Sequence, residues 1–274
     1  MEHATLSGAA RAAIEAIQET SGYLWSKGWA ERNAGNITHN LTEIWDPAIG
    51  AQGPLVAYPG IPAEAEGLVL FMTGTGKRLR ELRDPGTAGA VVRFHPAQGG
   101  YRILWGGAGD PGYKITSEAP SHLRLHLEMV KRGSPFRCAV HTHPLALIVL
   151  SHHPELGRDE ALLTRSIWQM VPEVRAFVPR GVGIVPYTMP GSDELGEKTC
   201  EVLLKRDVAI WSMHGATALG QDALEAFDFI DVADKGARLL LDCWAAGFNP
   251  VGTRRSEMEE LARVFGLPGD DFGL

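Results

Sequence analysis

The chain has 274 residues, of which 45% are hydrophobic and 22% are charged, a balance typical of globular proteins that excludes disorder, collagen and coiled coils. Its net charge of −7, from 33 acidic and 26 basic residues, argues against nucleic-acid binding, because neutralising phosphates requires a basic face. The longest strongly apolar run, residues 145–150, is far shorter than the roughly 20 residues that a membrane span needs. We therefore expect neither nucleic-acid nor membrane partners.

The N-terminal segment and the cysteines predict a cytoplasmic protein. Residues 1–19 lack the apolar core of a secretory signal. Cys138, Cys200 and Cys243 are widely spaced, odd in number and without a CxxC pair. This pattern indicates reduced thiols, and it argues against a disulfide framework or a thiolate metal site.

The first half of the chain predicts one helix followed by strands. Ile14, Ile17 and Leu24 recur at near-helical spacing, so we expect a helix over residues 7–29 that ends in the turn-forming run 33–36. Residues 67–72 predict a buried strand. Residues 91–94 and 101–105 bracket a Pro- and Gly-containing turn, the pattern of a hairpin.

From Glu118 onward, helical and strand patterns intermix. Helices are predicted over residues 120–132, 144–150, 159–170, 193–205 and 222–244. Strands are predicted at 137–141, 174–178, 183–185 and 207–213. We therefore predict one α/β domain spanning residues 1–274, with helices packed on a mixed or mainly antiparallel sheet.

The strongest local signal is a pair of histidines, His141 and His143, at the end of a predicted strand. Residues two apart in a strand point to one face, so both imidazoles can reach one cation, although an isolated HxH is more often chance. His214 also follows a predicted strand and precedes Gly215, where the chain can turn sharply. Three nitrogens with an open fourth position are the arrangement of catalytic zinc.

Two other histidine pairs have simpler interpretations. His122 and His126 are four residues apart on the predicted helix 120–132, a spacing that can also bind metal. The surrounding arginine and glutamate favour a solvated helix face instead. His152 and His153 end a helix, where cations suit the helix dipole.

Several loops carry glycines or short polar side chains. Residues 107–112 match GxGxxG, but Pro111 and Gly112 block the required helix, which argues against dinucleotide binding. Residues 73–77 are not a Walker A loop; a plain turn or a cradle for one phosphate both fit. Residues 33–36 offer amide donors, and residues 116–118 suit both a helix cap and an anion site.

Taken in order, these motifs resemble those of the class II aldolases, metal-dependent enzymes of sugar phosphates. The resemblance runs from about Trp25 to the C-terminus. The segments that carry it are residues 27–36, 73–77, 103–106, 116–118, 141–143, 164–165, 181–184, 190–194 and 214–215.

The resemblance implies roles for individual residues. His141, His143 and His214 would hold one zinc ion per subunit, and Glu118 would be the catalytic carboxylate. Glu173 would assist proton transfer in the active site of a neighbouring subunit, although residues 169–172 depart from the family pattern. The phosphate and the adjoining chain would be bound by Asn33, Gly35, Asn36, Thr75, Gly76, Thr116 and Ser117.

The implied fold is a three-layer α/β/α sandwich with a largely antiparallel sheet, assembled as a cyclic homotetramer with active sites near the subunit interfaces. The implied activity is zinc-dependent, reversible cleavage of L-rhamnulose 1-phosphate to dihydroxyacetone phosphate and L-lactaldehyde through a metal-stabilised enediolate. The residues agree with this chemistry. The sequence shows no lysine in an apolar pocket that could form a Schiff base, so a Lewis acid must carry the negative charge that develops on the substrate during cleavage.

Three alternatives stay open on sequence alone. A pentose-phosphate 4-epimerase of the same family would share the histidines, so only the flanking motifs argue against it. A non-catalytic scaffold such as the adducin head would have no need of three histidines and Glu118. An iron oxygenase with a facial triad usually has HxD or HxE where this chain has HxH.

Overall fold

The structure, a computed structural model, describes residues 6, 8–49, 54–107, 110, 112–269 and 272. Its helices are α1 (Gly8–Ser26), α2 (Pro85–Ala88), α3 (Ala119–Lys131), α4 (Leu145–Ser151), α5 (Glu160–Trp168), α6 (Pro172–Phe177), α7 (Asp193–Leu203), α8 (Ala223–Ala245) and α9 (Arg255–Phe265). Its strands are β1 (Asn36–Asn40), β2 (Leu55–Ala57), β3 (Val69–Thr73), β4 (Gly89–His95), β5 (Gly100–Gly106), β6 (Cys138–Thr142), β7 (Val182–Val185), β8 (Val208–Trp211) and β9 (Gly215–Gly220).

In the described residues, nine strands form one sheet in the order β2-β5-β4-β3-β1-β6-β9-β8-β7. The β7–β8 pair is parallel and the other neighbouring pairs are antiparallel. Asn36 of β1 lies opposite His141 of β6, and Thr142 of β6 lies opposite Ala216 of β9. These registers bring β1, β6 and the β8–β9 turn together in the middle of the sheet.

Both faces of the sheet are covered by helices, as β6 shows. Its five residues are all buried, and successive side chains of a strand point to opposite faces. Cys138 and Val140 join the core under α1, α5 and α8, whereas Ala139 joins the core under α3 and α7. The predicted three-layer sandwich with a largely antiparallel sheet is therefore confirmed.

Most predicted elements are present with shifted ends. The predicted helix 7–29 corresponds to α1, and the predicted hairpin corresponds to β4 and β5. The prediction missed β1, β2, β9, α2 and α9. Ser7, where the first helix was expected to begin, and Ala108, Gly109 and Pro111 of the GxGxxG run lie outside the described residues. Residues 112–118 are not helical, and among the described residues after β5 the next helix begins at Ala119.

The predicted strand over residues 174–178 is wrong, because this segment belongs mainly to α6. Pro172 occupies the first turn of α6, where its missing N–H costs nothing. Val174 and Val178 are both buried and lie four residues apart, the spacing of one helix face. The β-branched side chains therefore follow tertiary packing here and not their strand preference.

No helix in the described ranges is both long enough and apolar enough to cross a bilayer.

Candidate metal centre and substrate cavity

The structure brings His141, His143 and His214 together at one end of the central strands. His141 is the last residue but one of β6, His143 directly follows that strand, and His214 lies in the turn between β8 and β9. The centroids of the three rings are 5.0 to 5.4 Å apart. One possible ligand atom from each ring lies within 4.8 Å of the others.

His141 presents a nitrogen that fits a metal ligand. Its Nδ1 donates a hydrogen bond of 3.0 Å to the carbonyl of Ala216, which fixes the tautomer and leaves Nε2 unprotonated. That Nε2 is buried and has no hydrogen-bond partner among the described residues. Buried polar atoms nearly always have a hydrogen-bond partner. The unpartnered Nε2 of His141, which lies near two further imidazoles, therefore fits a ligand of a bound cation.

The other two histidines are also suited to metal binding. His143 Nδ1 donates a 2.7 Å hydrogen bond to Glu31, the carboxylate contact that orients many metal-binding histidines. Burial lowers the pKa of His141 well below its usual value and that of His214 to about 4. Neutral imidazole is the form that binds metal, so the three side chains fit a divalent cation.

Glu118 lies beside this triad at the N-terminal end of α3. Its carboxylate oxygens are 3.7 Å from His141 Nε2 and 3.8 Å from His214 Nε2, too far for hydrogen bonds. Asn36 donates a 2.6 Å hydrogen bond to Oε2. Burial raises the pKa of Glu118 above its ordinary value, and the Asn36 hydrogen bond opposes that rise. A carboxyl group with a raised pKa beside a metal centre can both take and return a proton.

Glu118, the three histidines and the predicted loops line one cavity of about 190 Å³. All seven residues predicted to bind the phosphate line it: Asn33, Gly35, Asn36, Thr75, Gly76, Thr116 and Ser117. Ala34 and Gly74 complete the lining, which contains no lysine or arginine among the described residues. A dianion in this cavity would therefore be held by backbone N–H groups, amides and hydroxyls.

Hydrogen bonds tie two of these loops together. The backbone N–H of Thr75 donates a hydrogen bond to the carbonyl of Lys114, and its hydroxyl donates a hydrogen bond of 2.7 Å to the carbonyl of Ile115. Thr116 N donates to the carbonyl of Thr73. The loops after β3 and before α3 consequently form one wall of the cavity.

Glu173 does not line this cavity. It is exposed in the first turn of α6. The structure of one chain therefore brings Glu118 and the three histidines together and places Glu173 apart from them.

The expectation of a solvated face for His122 and His126 is wrong. Both are buried, with a relative exposure of 1%, because that side of α3 lies against β1. Both rings contact the hydroxyl of Thr38. Their spacing relative to Leu125 and Met129, which are buried on the same helix, is the signal that indicates burial.

Two further residues at the site were missed from the sequence. Glu31 contacts His143, and Trp211 stacks on His141 with ring centroids 4.1 Å apart. Glu31 lies in the same loop as Asn33. An acidic residue so close to a predicted binding loop could have indicated a contact with the site. The sequence pattern of β8 indicates only that Trp211 is a core residue of a buried strand, and nothing in that pattern predicts its contact with the ring of His141.

Comparison with known proteins identifies the family of this chain. The family described as Class II Aldolase and Adducin N-terminal domain matches residues 15–241. Rhamnulose-1-phosphate aldolase of Bacteroides thetaiotaomicron is 41% identical over 260 residues, which cover 93% of this chain and 94% of that protein. Rhamnulose-1-phosphate aldolase of Shigella boydii is 32% identical over 249 residues, covering 89% of each chain.

Solved structures give the same grouping. A sugar-phosphate aldolase of Thermotoga maritima is similar with a TM-score of 0.75 and 33% identity, covering 89% of this chain and all of that one (100%). An L-fuculose 1-phosphate aldolase has the same fold at 17% identity, with a TM-score of 0.61 over 97% of this chain and 100% of the other. The protein therefore belongs to the family of class II aldolases and adducin N-terminal domains.

Proposed function

We propose that this protein is a zinc-dependent aldolase that reversibly cleaves L-rhamnulose 1-phosphate to dihydroxyacetone phosphate and L-lactaldehyde. The observation that carries the proposal is the convergence of His141, His143, His214 and Glu118 in one cavity whose lining is otherwise neutral. The 41% identity with a rhamnulose-1-phosphate aldolase over 93% of this chain supports the choice of substrate.

The metal would be held by the three histidines. Zinc is the cation we propose, since three imidazoles with a remaining open position are its usual catalytic environment. The cation supplies Lewis-acid stabilisation of the negative charge that develops when the C3–C4 bond breaks. Glu31 would hold the ring of His143 in place through the 2.7 Å hydrogen bond to Nδ1.

Glu118 would move the proton at C3. In cleavage, the carboxyl group gives its proton to C3 of the departing dihydroxyacetone phosphate, and in condensation the carboxylate removes that proton. Support comes from its position beside the histidines and from the burial that raises its pKa. Burial raises the pKa of this carboxyl group, and a bound cation would lower it.

The phosphate would be bound by the loops that contain Asn33, Gly35, Thr75, Gly76 and Ser117, with Asn36 and Thr116 behind them. Asn33, Thr75 and Ser117 are exposed and therefore accessible to a ligand. The amide of Asn36 already donates to Glu118, so its contribution to the phosphate would come second. The hydroxyl of Thr116 only accepts from Glu118 N–H and keeps its own proton for the phosphate, whereas the hydroxyl of Thr75 would have to turn from the carbonyl of Ile115 toward the ligand.

The active form would be a cyclic homotetramer in the cytoplasm. Exposed apolar side chains flank the metal ligands: Leu145, two residues after His143, is 61% exposed, and Met213, next to His214, is 51% exposed. A neighbouring subunit that covers this region would bury them, and its Glu173 would assist proton transfer at the aldehyde end. The free thiols of Cys138, Cys200 and Cys243 suit a reducing compartment.

Removing the metal tests the proposed function. The chelated protein should cleave no ketose 1-phosphate, and added zinc should restore cleavage of rhamnulose 1-phosphate in preference to fuculose 1-phosphate and ribulose 5-phosphate. His141→Ala, His143→Ala and His214→Ala should each lose both metal and activity, whereas His152→Ala, which changes an exposed histidine, should keep both. Stoichiometric metal in His214→Ala would disprove the three-histidine site.

Replacing the catalytic carboxylate tests the proton step. Glu118→Gln keeps the shape of the side chain but cannot carry the proton, so kcat should fall about 10²- to 10⁴-fold. The control is Glu15→Gln, an exposed glutamate of α1, which should leave kcat unchanged. Near wild-type turnover of Glu118→Gln with unchanged metal content would remove Glu118 from the mechanism.

Phosphate binding is tested by comparing two substrates. Asn33→Ala and Thr75→Val should raise KM for rhamnulose 1-phosphate much more than KM for unphosphorylated rhamnulose, because only the first substrate carries the dianion. Asn249→Ala changes an exposed asparagine that does not line the cavity and should alter neither KM. Equal effects on both substrates would contradict the assignment.

Mixed tetramers test the role of Glu173. Glu173→Ala should lower turnover while the tetramer persists. Random mixing of Glu173→Ala with Glu118→Gln subunits should restore activity, because about one site in four then combines an intact Glu118 with an intact Glu173 from its neighbour. Absence of recovery in verified hybrids, or full activity of Glu173→Ala alone, would show that Glu173 has no role in the neighbouring active site.

A further inference from the structure

A line of buried polar side chains leads from Glu118 into the interior between β1 and α3. Asn36 and Thr38 are two residues apart on β1 and face α3. His122 and His126 are four residues apart on α3 and face β1. All four side chains are buried, with relative exposures from 0% to 6%.

Continuous hydrogen bonds join these groups. Glu118 Oε2 is 2.6 Å from Asn36 Nδ2, and Asn36 Oδ1 is hydrogen-bonded to His122 Nε2. The other nitrogen of His122, Nδ1, lies 2.8 Å from Thr38 Oγ1. Thr38 Oγ1 in turn lies 2.7 Å from His126 Nε2.

Chemistry fixes the direction of every one of these bonds when Glu118 is ionised. A carboxylate only accepts, so Asn36 must turn its NH₂ group toward Glu118 and its Oδ1 toward His122. Oδ1 accepts, so His122 carries its proton on Nε2, and its bare Nδ1 accepts from the hydroxyl of Thr38. The same hydroxyl oxygen then accepts from Nε2–H of His126.

The hydrogen-bond directions above require both imidazoles to be neutral. Burial lowers the pKa of His122 to about 3 and lowers that of His126 well below its usual value. Each ring is therefore neutral, with one N–H donor and one acceptor nitrogen. In the resulting chain, from His126 through Thr38, His122 and Asn36, each donor points toward Glu118, an arrangement in which successive bonds strengthen one another.

We infer that Thr38, His122 and His126 are positioning residues for Glu118, which they orient by holding the NH₂ group of Asn36 toward its carboxylate. The inference rests on the proposed function in that Glu118 is taken to move the substrate proton. With Oε2 held by Asn36, Oε1 is the oxygen left for substrate. None of the three positioning residues lines the cavity.

Thr38 offers the sharpest test, because its hydroxyl both donates to His122 and accepts from His126. Thr38→Val replaces that hydroxyl by a methyl group of similar size, so kcat for rhamnulose 1-phosphate should fall about tenfold. KM and bound zinc should stay unchanged. Thr38→Ser restores the hydroxyl and should return kcat to within about twofold of wild type.

Thr20→Val is the matched control. Thr20 is also a fully buried threonine, but its hydroxyl has no hydrogen-bond partner in the described part of the chain. Its replacement should leave kcat unchanged. A loss of kcat in Thr38→Ser equal to that in Thr38→Val would indicate a packing role for Thr38 and overturn the inference, as would a kcat of Thr38→Val within about twofold of wild type.

A second measurement does not depend on activity. Proton–nitrogen NMR spectra of the ¹⁵N-histidine-labelled, zinc-loaded protein should show His122 and His126 neutral and protonated on Nε2. A proton on Nδ1 of His122 would reverse the chain and overturn the inference, even if Thr38→Val does not fold. If the wild-type protein cleaves none of the ketose phosphates, the proposed function is wrong. The histidine tautomers measured by NMR would still show in which direction the hydrogen bonds from His126 to Glu118 run.

Discussion

The antiparallel register of β1, β6 and β9 is the constraint on which the site depends. It sets Asn36 opposite His141 and places the β8–β9 turn, which carries His214, beside the end of β6. A shift of one residue in any of these pairings would turn the side chains to the other face of the sheet. The helices on both faces hold the register, since a shift would move Val140 out of the core under α1, α5 and α8 and would bury polar side chains such as Thr38 away from their partners.

Close packing of backbone around the histidines is the second constraint. A Cβ on Gly215 would lie 2.5 Å from the carbonyl oxygen of Thr142 and 2.9 Å from the rings of His141 and His143. In the described residues, Arg32 and Met213 are the non-glycine residues with positive φ, at 50° and 61°. Met213 adjoins His214 and Arg32 adjoins Glu31, so the strained backbone lies where functional side chains are aimed.

The sequence was sufficient for the parts of the site that depend on local order. His141 and His143 lie at the end of a predicted strand, and the loop residues precede or follow recognisable elements, so their meeting at one end of the strands could be predicted. Contacts between distant segments could not: Thr38 and His122 are separated by 84 positions. Strand β1 was missed because Asn36 and Thr38 are polar, and only their hydrogen bonds to Glu118, His122 and His126 compensate for the loss of hydration on burial.

The amide of Asn36 has a further consequence for the protein interior. Imidazoles and hydroxyls can pass protons along a hydrogen-bonded row, but an amide does not ionise and therefore interrupts the row. Glu118 is connected to His122 electrostatically while remaining closed to proton flow from that side. Among the described residues, the cavity that Glu118 lines offers a route for exchange of its proton, so water that enters through the substrate's opening would dilute an isotope label carried on this carboxyl group.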